Sequence, residues 1–468
     1  MSDGAILELV SRGKKDAYQN QDPVRSWFDS AYQPRSPATI EYRIVQTDNA
    51  PRFGQWFDLT IPSEGDILMG VDIRITLPTW LPPNIAPLSN VTVESKPYKI
   101  NGVDKPPYFT QYGWTNGVAN FLIKKWALFV DTVKLVEGYG DFNNSFPDTN
   151  TTQFKAPLLH ISTGRNDGTP AGIAGNALLP ELVFRVPIPG CQEPRDSGIP
   201  LCAFKGQRVY IRFWLRDKCE LVESGPLDSD GAFYFSDGYP LYELNPEPWG
   251  FRRIKVNGVL QPDVTIAGRL MGQPSIYARL CVLNVDNELR QSLAAAKHEI
   301  RFRQQLIDRW TIDTVKAGPY KQLVQIGGLF QTLFIALQSQ VRRQQNKLSN
   351  YLPTTGDWLT GLAMIVNGQN RIYDWTPASL KTLANNTQLG RDVNTALYYL
   401  IFGVSPDDEP GGTINLRSCQ KALLNMTFAA PVADPIGGKN TTVYGSVLGL
   451  SWNILDIVGG RASLRFPD

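Results

Sequence analysis

The chain has 468 residues, with 46 Lys and Arg against 44 Asp and Glu, and a formal net charge of +2. Hydrophobic residues make up 42% and charged residues 19%, which excludes a disordered chain and disfavours a protein that wraps nucleic acid through a basic footprint. The length predicts more than one domain. No apolar run approaches the 18 residues that span a membrane, and the cluster Ala5 to Val10, broken by Glu8, is too short for a secretory signal.

Most of the chain reads as short strands between Gly- and Pro-rich turns. Phe57 to Ile61 alternates, Pro62 to Asp66 turns, and Ile67 restarts a strand that runs with period two through Val71 to Leu77. Further strand-like runs are Val133 to Val136, Leu182 to Ile188, Val209 to Leu215, Ile276 to Val285, Leu397 to Val404 and Leu423 to Phe428. Many short strands of this kind predict sandwiches or barrels. Three polar or Pro-rich stretches, 81–112, 143–175 and 221–250, are too long for idle connections and predict surface towers or contact arms. One segment breaks the pattern. Asn287 to His298 contains three consecutive Ala and two spaced Leu, which predicts a helix joining two β domains.

Chemistry-bearing motifs fail on spacing. The only histidines, His160 and His298, lie far apart, which is poor material for zinc or general acid–base work. The five cysteines, Cys191, Cys202, Cys219, Cys281 and Cys419, form no Cys-x-x-Cys pair and read as reduced thiols. Gly437-Gly438-Lys439-Asn440 lacks the first Gly and the hydroxyl of a phosphate loop. Gly138-Tyr139-Gly140 has Asn143 where a dinucleotide fingerprint needs a third Gly, and reads as a hairpin turn. Asp228 to Gly231 lacks the later ligands and closing Glu of a calcium loop, and Asp407 to Glu409 reads as a loop tip. The basic doublets Lys14-Lys15, Lys124-Lys125, Arg252-Arg253 and Arg342-Arg343 are scattered and read as solvated faces or protein contacts. Six Asn-x-Ser/Thr sequons, at Asn90, Asn143, Asn150, Asn385, Asn425 and Asn440, are a weak excess over chance. The expectation is no catalytic, cofactor-binding or metal residue and no cofactor: a structural or binding protein, not an enzyme.

A series of motifs carries a resemblance. Asp3 to Val10 with Gly13, Lys14, Asp16 and Tyr18 resembles a Gly-Gly-x-x-x-Leu-Val opening followed by Gly-x-x-Asp-x-Tyr-Leu, with Gln19 in place of the Leu. Trp27, Phe28 and Tyr32 follow in a similar aromatic stretch. Then come Phe53-Gly54-Gln55, Gly65-Asp66-Ile67-Leu68, Val133 to Gly138, Pro187, Ser197 to Leu201, and Val209 to Leu215. Ile276 to Arg290 with Asp286 and Glu288, and His298-Glu299, are followed by Val366 to Arg371, Pro410 to Leu416 (with Gly411 in place of a Ser) and Trp452 to Gly460. In this order they resemble the double jelly-roll major capsid proteins of large icosahedral DNA viruses: iridoviruses, phycodnaviruses and marseilleviruses. The stretches 80–118 and 219–272 are longer than in several of those relatives.

The resemblance implies an all-β double jelly roll: two eight-stranded antiparallel sandwiches in tandem, with a short helical joint and long surface loops. It implies an N-terminal arm over 1–35, a first jelly roll over 36–286, a joint over 287–298 and a second jelly roll over 299–468. It further implies a homotrimer with a pseudo-hexagonal outline that tiles an icosahedral capsid. The partners would be neighbouring capsomers, minor capsid proteins and, through the inner face of the arm, an internal viral membrane, with no direct nucleic-acid binding. The protein would sit in the outer shell of the virion and be made and assembled in the host cytoplasm. The alternatives are a minor capsid or spike protein of the same fold, or a carbohydrate-binding or hydrolysing β-sandwich.

Overall fold

The computed structural model describes residues 37–78, 112–145, 181–192, 198–224, 272–339, 357–380, 397–403, 412–429 and 442–466, apart from residues 205, 314 and 377. It also describes short pieces within 91–110, at 162–164, within 254–261 and within 343–351. Sixteen strands of the described residues build two sandwiches. The first uses β1 (Ala38–Gln46), β2 (Trp56–Ile61), β3 (Ile67–Thr76), β4 (Ile123–Val130), β5 (Val133–Gly138), β6 (Leu182–Arg185), β7 (Val209–Leu215) and β8 (Ser275–Val285). The second uses β9 (His298–Ile312), β10 (Gly318–Leu323), β11 (Leu329–Ser339), β12 (Leu359–Val366), β13 (Gln369–Trp375), β14 (Tyr398–Ile401), β15 (Ala422–Phe428) and β16 (Val443–Val458).

The strand order establishes the fold. One sheet of the first sandwich runs β1-β8-β3-β6 and the other β5-β4-β7-β2; the second sandwich runs β9-β16-β11-β14 and β10-β15-β12-β13. Adding eight to each strand number turns the first pattern into the second. Each unit is therefore a jelly roll, in which the chain crosses between two sheets so that distant strands become neighbours; the short strands Ile199–Pro200, Ile414–Asn415 and Arg461–Leu464 also pair onto β3, β11 and β16. The registered pairings are antiparallel, as in β7 with β2 and β4 and β9 with β16 along fifteen positions. The double jelly roll expected from the sequence is the fold observed.

Alternation explains why these segments pair this way. In β7, Val209, Ile211, Phe213 and Leu215 are buried, while Tyr210, Arg212 and Trp214 face outward. The inward side chains join those of β2 and β3 in one core, where Phe57 stacks on Phe213 at 5.0 Å. Burying each such side chain stabilises by about 1.5–3 kcal/mol. The second sandwich has its own core, with Leu333, Ile335 and Leu337 facing Leu424 and Met426.

Between β8 and β9 lies a surface helix, Asn287–Ala295. Asp286 caps it by accepting a hydrogen bond from the Leu289 N–H, one of the orphan donors of a helix start. It stops three residues before the sequence suggests, because Ala296 is extended and His298 already pairs with Ile457 in β9. Asp66 ties the helix down: one carboxylate oxygen accepts from Val285 N and the other meets Arg290 at 3.0 Å.

Other sequence expectations need correction. Gly138-Tyr139-Gly140 is not a hairpin turn; β5 ends at Gly138 and a short helix, Gly140–Ser145, follows. The hairpin lies at the other end of β5, where Asp131 turns with φ 52 between β4 and β5. The strand expected over 182–188 covers only 182–185, and that over 397–404 only 398–401. Stretch 81–112 carries short strands. Val91–Glu94 and Phe109–Thr110 form a separate sheet with Ile254–Val256 and Val259–Gln261. Tyr112–Trp114 pairs with Val222–Ser224. Residues 1–35, 146–161, 165–180 and 225–250 lie outside the described residues.

Candidate functional site

The described residues hold no group of three or more potential metal ligands. His298 sits with a ring nitrogen 2.6 Å from Leu293 O and closes the helix before β9; His160 lies outside the described residues. Cys191, Cys202, Cys281 and Cys419 are free thiols. Among the described residues, the buried Asp58 and Asp66 are both committed to cations: Asp58 to Arg212 in a two-bond fork, Asp66 to Arg290. Residues 437–440, 228–231 and 407–409 lie outside the described residues. No helix of the described residues is long and apolar enough to cross a membrane.

The structure instead builds two kinds of contact surface. The first is the junction between the sandwiches. The outer face of the β9-β16-β11-β14 sheet carries Phe334, Ala336, Leu448 and Tyr399, and Phe142 of the short helix after β5 packs onto it. Phe142 meets Phe334 edge-on at 6.1 Å, and Phe334 meets Tyr399 at 5.4 Å. Around this apolar patch the polar groups are paired across the junction. Gln305 accepts from Tyr139 N and donates to Asn143, each at 3.0 Å. The Gln192 amide both donates to Arg303 O and accepts from Arg303 N, at 2.7 and 2.8 Å, a side chain standing in for a strand neighbour. Asn143, one of the sequons, is buried and fully engaged here, so a glycan at this position is incompatible with the folded chain.

Charges reinforce the junction. Asp141 meets Arg216 of the first sandwich at 2.5 Å and Arg309 of the second at 3.0 Å. Burial pushes its carboxyl up, but the two guanidiniums outweigh that and hold it below the usual carboxylate range. Beside it, burial works to raise Glu137, yet hydrogen bonds from Lys125, Lys134 and Tyr139 hold it at about 2. Burial and the Glu137 charge push the Tyr139 hydroxyl up to about 12.

The second kind of surface faces outward on the first sandwich. On the β2-β7-β4 face, Arg212 covers Trp56 at 4.3 Å, Phe129 stacks on Tyr210 at 5.0 Å, and Lys125 sits 5.7 Å from Trp214. Around β1, Ile40, Tyr42 and Ile44 project in a row, each more than half exposed. Tyr, Trp and Arg in one patch are the residues enriched in protein interfaces. Of the basic doublets, Lys125 is bound to Glu137 and Arg343 stacks on Tyr444; 14–15, 252–253 and Arg342 lie outside the described residues. Sequence reading missed the junction residues Tyr139, Asp141, Gln192 and Arg216. Each meets a partner at least 75 positions away, or 111 for Gln192 and 166 for Tyr139, and no local pattern marks such a pair.

No protein-family model matches the chain. It is 24% identical over 239 residues to probable capsid protein 4 of Acanthamoeba polyphaga mimivirus, a match over 48% of this chain and 40% of that protein. Among solved structures, the chain in a quasi-atomic model of the PBCV-1 virus capsid superposes with a TM-score of 0.67 at 14% identity, covering 95% of this chain and 100% of that one. The Faustovirus major capsid protein gives a TM-score of 0.59 at 10% identity over 96% and 94% of the two chains. The likeness to the solved structures is one of fold.

Proposed function

We propose that this double jelly-roll chain is a major capsid protein, the subunit that tiles the icosahedral shell of a large DNA virus. The observation that carries the reading is the duplicated strand order on a fixed junction, a fold shared with the PBCV-1 capsid chain over 95% of this chain. The mimivirus capsid protein supports it through the sequence. Two similar sandwiches held at one angle give a subunit a pseudo-two-fold outline. Three such subunits place six sandwiches around a three-fold axis, a ring that closes while its rim stays open for lateral contacts.

In this reading residues 1–35 form an arm on the inner face, toward minor capsid proteins and an internal membrane. Residues 36–286 and 299–468 are the two jelly rolls, and 287–298 is the joint. The aromatic and arginine face of the first sandwich and the row Ile40, Tyr42 and Ile44 supply contacts between copies. The subunit is structural rather than catalytic, assembles in the host cytoplasm into the virion shell, and makes no direct contact with nucleic acid, consistent with a net charge of +2. Electron microscopy of the expressed chain tests the reading: six-lobed capsomers or closed shells are expected. A monomer with saturable oligosaccharide binding would favour a carbohydrate-binding sandwich instead.

A further inference from the structure

A cavity of about 290 Å³ opens where the two sandwiches meet, lined among others by Asp141, Arg216, Arg309, Trp310, Arg343 and Tyr444. Asp141 and Arg216 come from the first sandwich and the other four from the second half of the chain. We propose that this cavity is a binding site for a phosphate oxyanion, which ties the sandwiches together from inside the junction. The inference does not depend on the capsid reading.

The wall of the cavity is rich in arginine. Arg216 is itself only 8% exposed, and a guanidinium held out of water calls for anionic partners.

The charge points to a dianion. Three guanidiniums line the cavity against one carboxylate, an excess of two positive charges. Asp141 already gives one oxygen to Arg216 and the other to Arg309. Arg343 stacks on Tyr444 at 4.5 Å and makes no ion pair among the described residues. Glu220 reaches Arg216 from outside the cavity at 3.4 Å but is 45% exposed, so water screens it. A carboxylate ligand would leave one positive charge; a phosphate balances both and suits the fork geometry of arginine. The volume equals roughly ten waters at ~30 Å³ each, ample for a phosphate group.

Calorimetric titration of the full chain with inorganic phosphate at low ionic strength tests this. The expected result is one saturable site with Kd below about 1 mM and no saturable binding of acetate. Arg343 is exposed, so Arg343→Gln should melt like the parent chain, yet it should weaken phosphate binding about tenfold. Arg309→Gln removes a second lining guanidinium; it should weaken binding as well, and it carries the test alone if Arg343→Gln fails to fold. Absence of saturable phosphate binding, unchanged affinity in the variants, or equal binding of acetate would overturn the proposal.

Discussion

The same sheet occurs twice in this molecule and meets two different environments. In the first sandwich its leading strand, β1, points Ile40, Tyr42 and Ile44 outward, 59–68% exposed. In the second sandwich the outer face of the matching sheet lies under Tyr139 and Phe142 and is closed. The consequence is written along β11, where ten of eleven residues are apolar or polar but buried or nearly so, on both faces. A strand covered on both sides loses its alternation. Topology alone thus does not decide which face is a surface; the neighbour does.

Mutations can break that comparison, and the largest effect is expected at the covered face. Phe334→Ala removes a ring packed against Phe142 and Tyr399 and should cost about 3–5 kcal/mol in chemical denaturation. Tyr42→Ala on the open face should change stability by no more than about 0.5 kcal/mol, while reducing capsomer yield if copies meet there. Equal costs at the two positions would erase the distinction.

Asp141→Asn should follow, at about 3 kcal/mol, because it takes from buried Arg216 its closer carboxylate and leaves only the exposed Glu220. A titration of stability with pH sharpens the same point. Glu137 is held at about 2, below its ordinary 4.5. Its contribution is therefore full above the unfolded value and fades as pH falls from about 4.5 toward 2. Tyr139 behaves oppositely: raised to about 12, it stabilises fully below its unfolded value of 10.0 and fades as pH climbs from there. Glu137→Gln should flatten the acid limb and lower the Tyr139 value; unchanged limbs would detach both groups from the junction. The smallest effect, about 1 kcal/mol, is expected for Asn367→Ala in the β12–β13 turn. Asn367 has φ 50, and its side chain accepts from Gln420 N and Lys421 N.

What was legible in the sequence follows from these environments. Val209 to Leu215 alternates because one face is wet, and its strand was predicted to the residue. The resembling motifs Gly65-Asp66, Asp286, Asn367-Gly368 and Gly459-Gly460 fall on caps and turns, where backbone geometry restricts the residue. Gly198, with φ +78, lies where a Cβ would come 2.5 Å from Ile67. β11 and β16 were missed by periodicity, the first because both its faces are buried and the second because Gly445 and Gly449 interrupt its pattern so that rings of Trp310 and Phe330 can lie over the backbone. The junction was illegible, since the hydrogen bonds and ion pairs that cross between the sandwiches join residues 111 to 168 positions apart. The cavity was equally hidden; Arg343 stood out only as half of a basic doublet.

Light scattering of the purified chain tests the central claim most directly. A capsomer of three subunits predicts three times 52.1 kDa, a mass of 156.3 kDa that persists on dilution. A stable 52.1 kDa monomer at the same concentrations would contradict it.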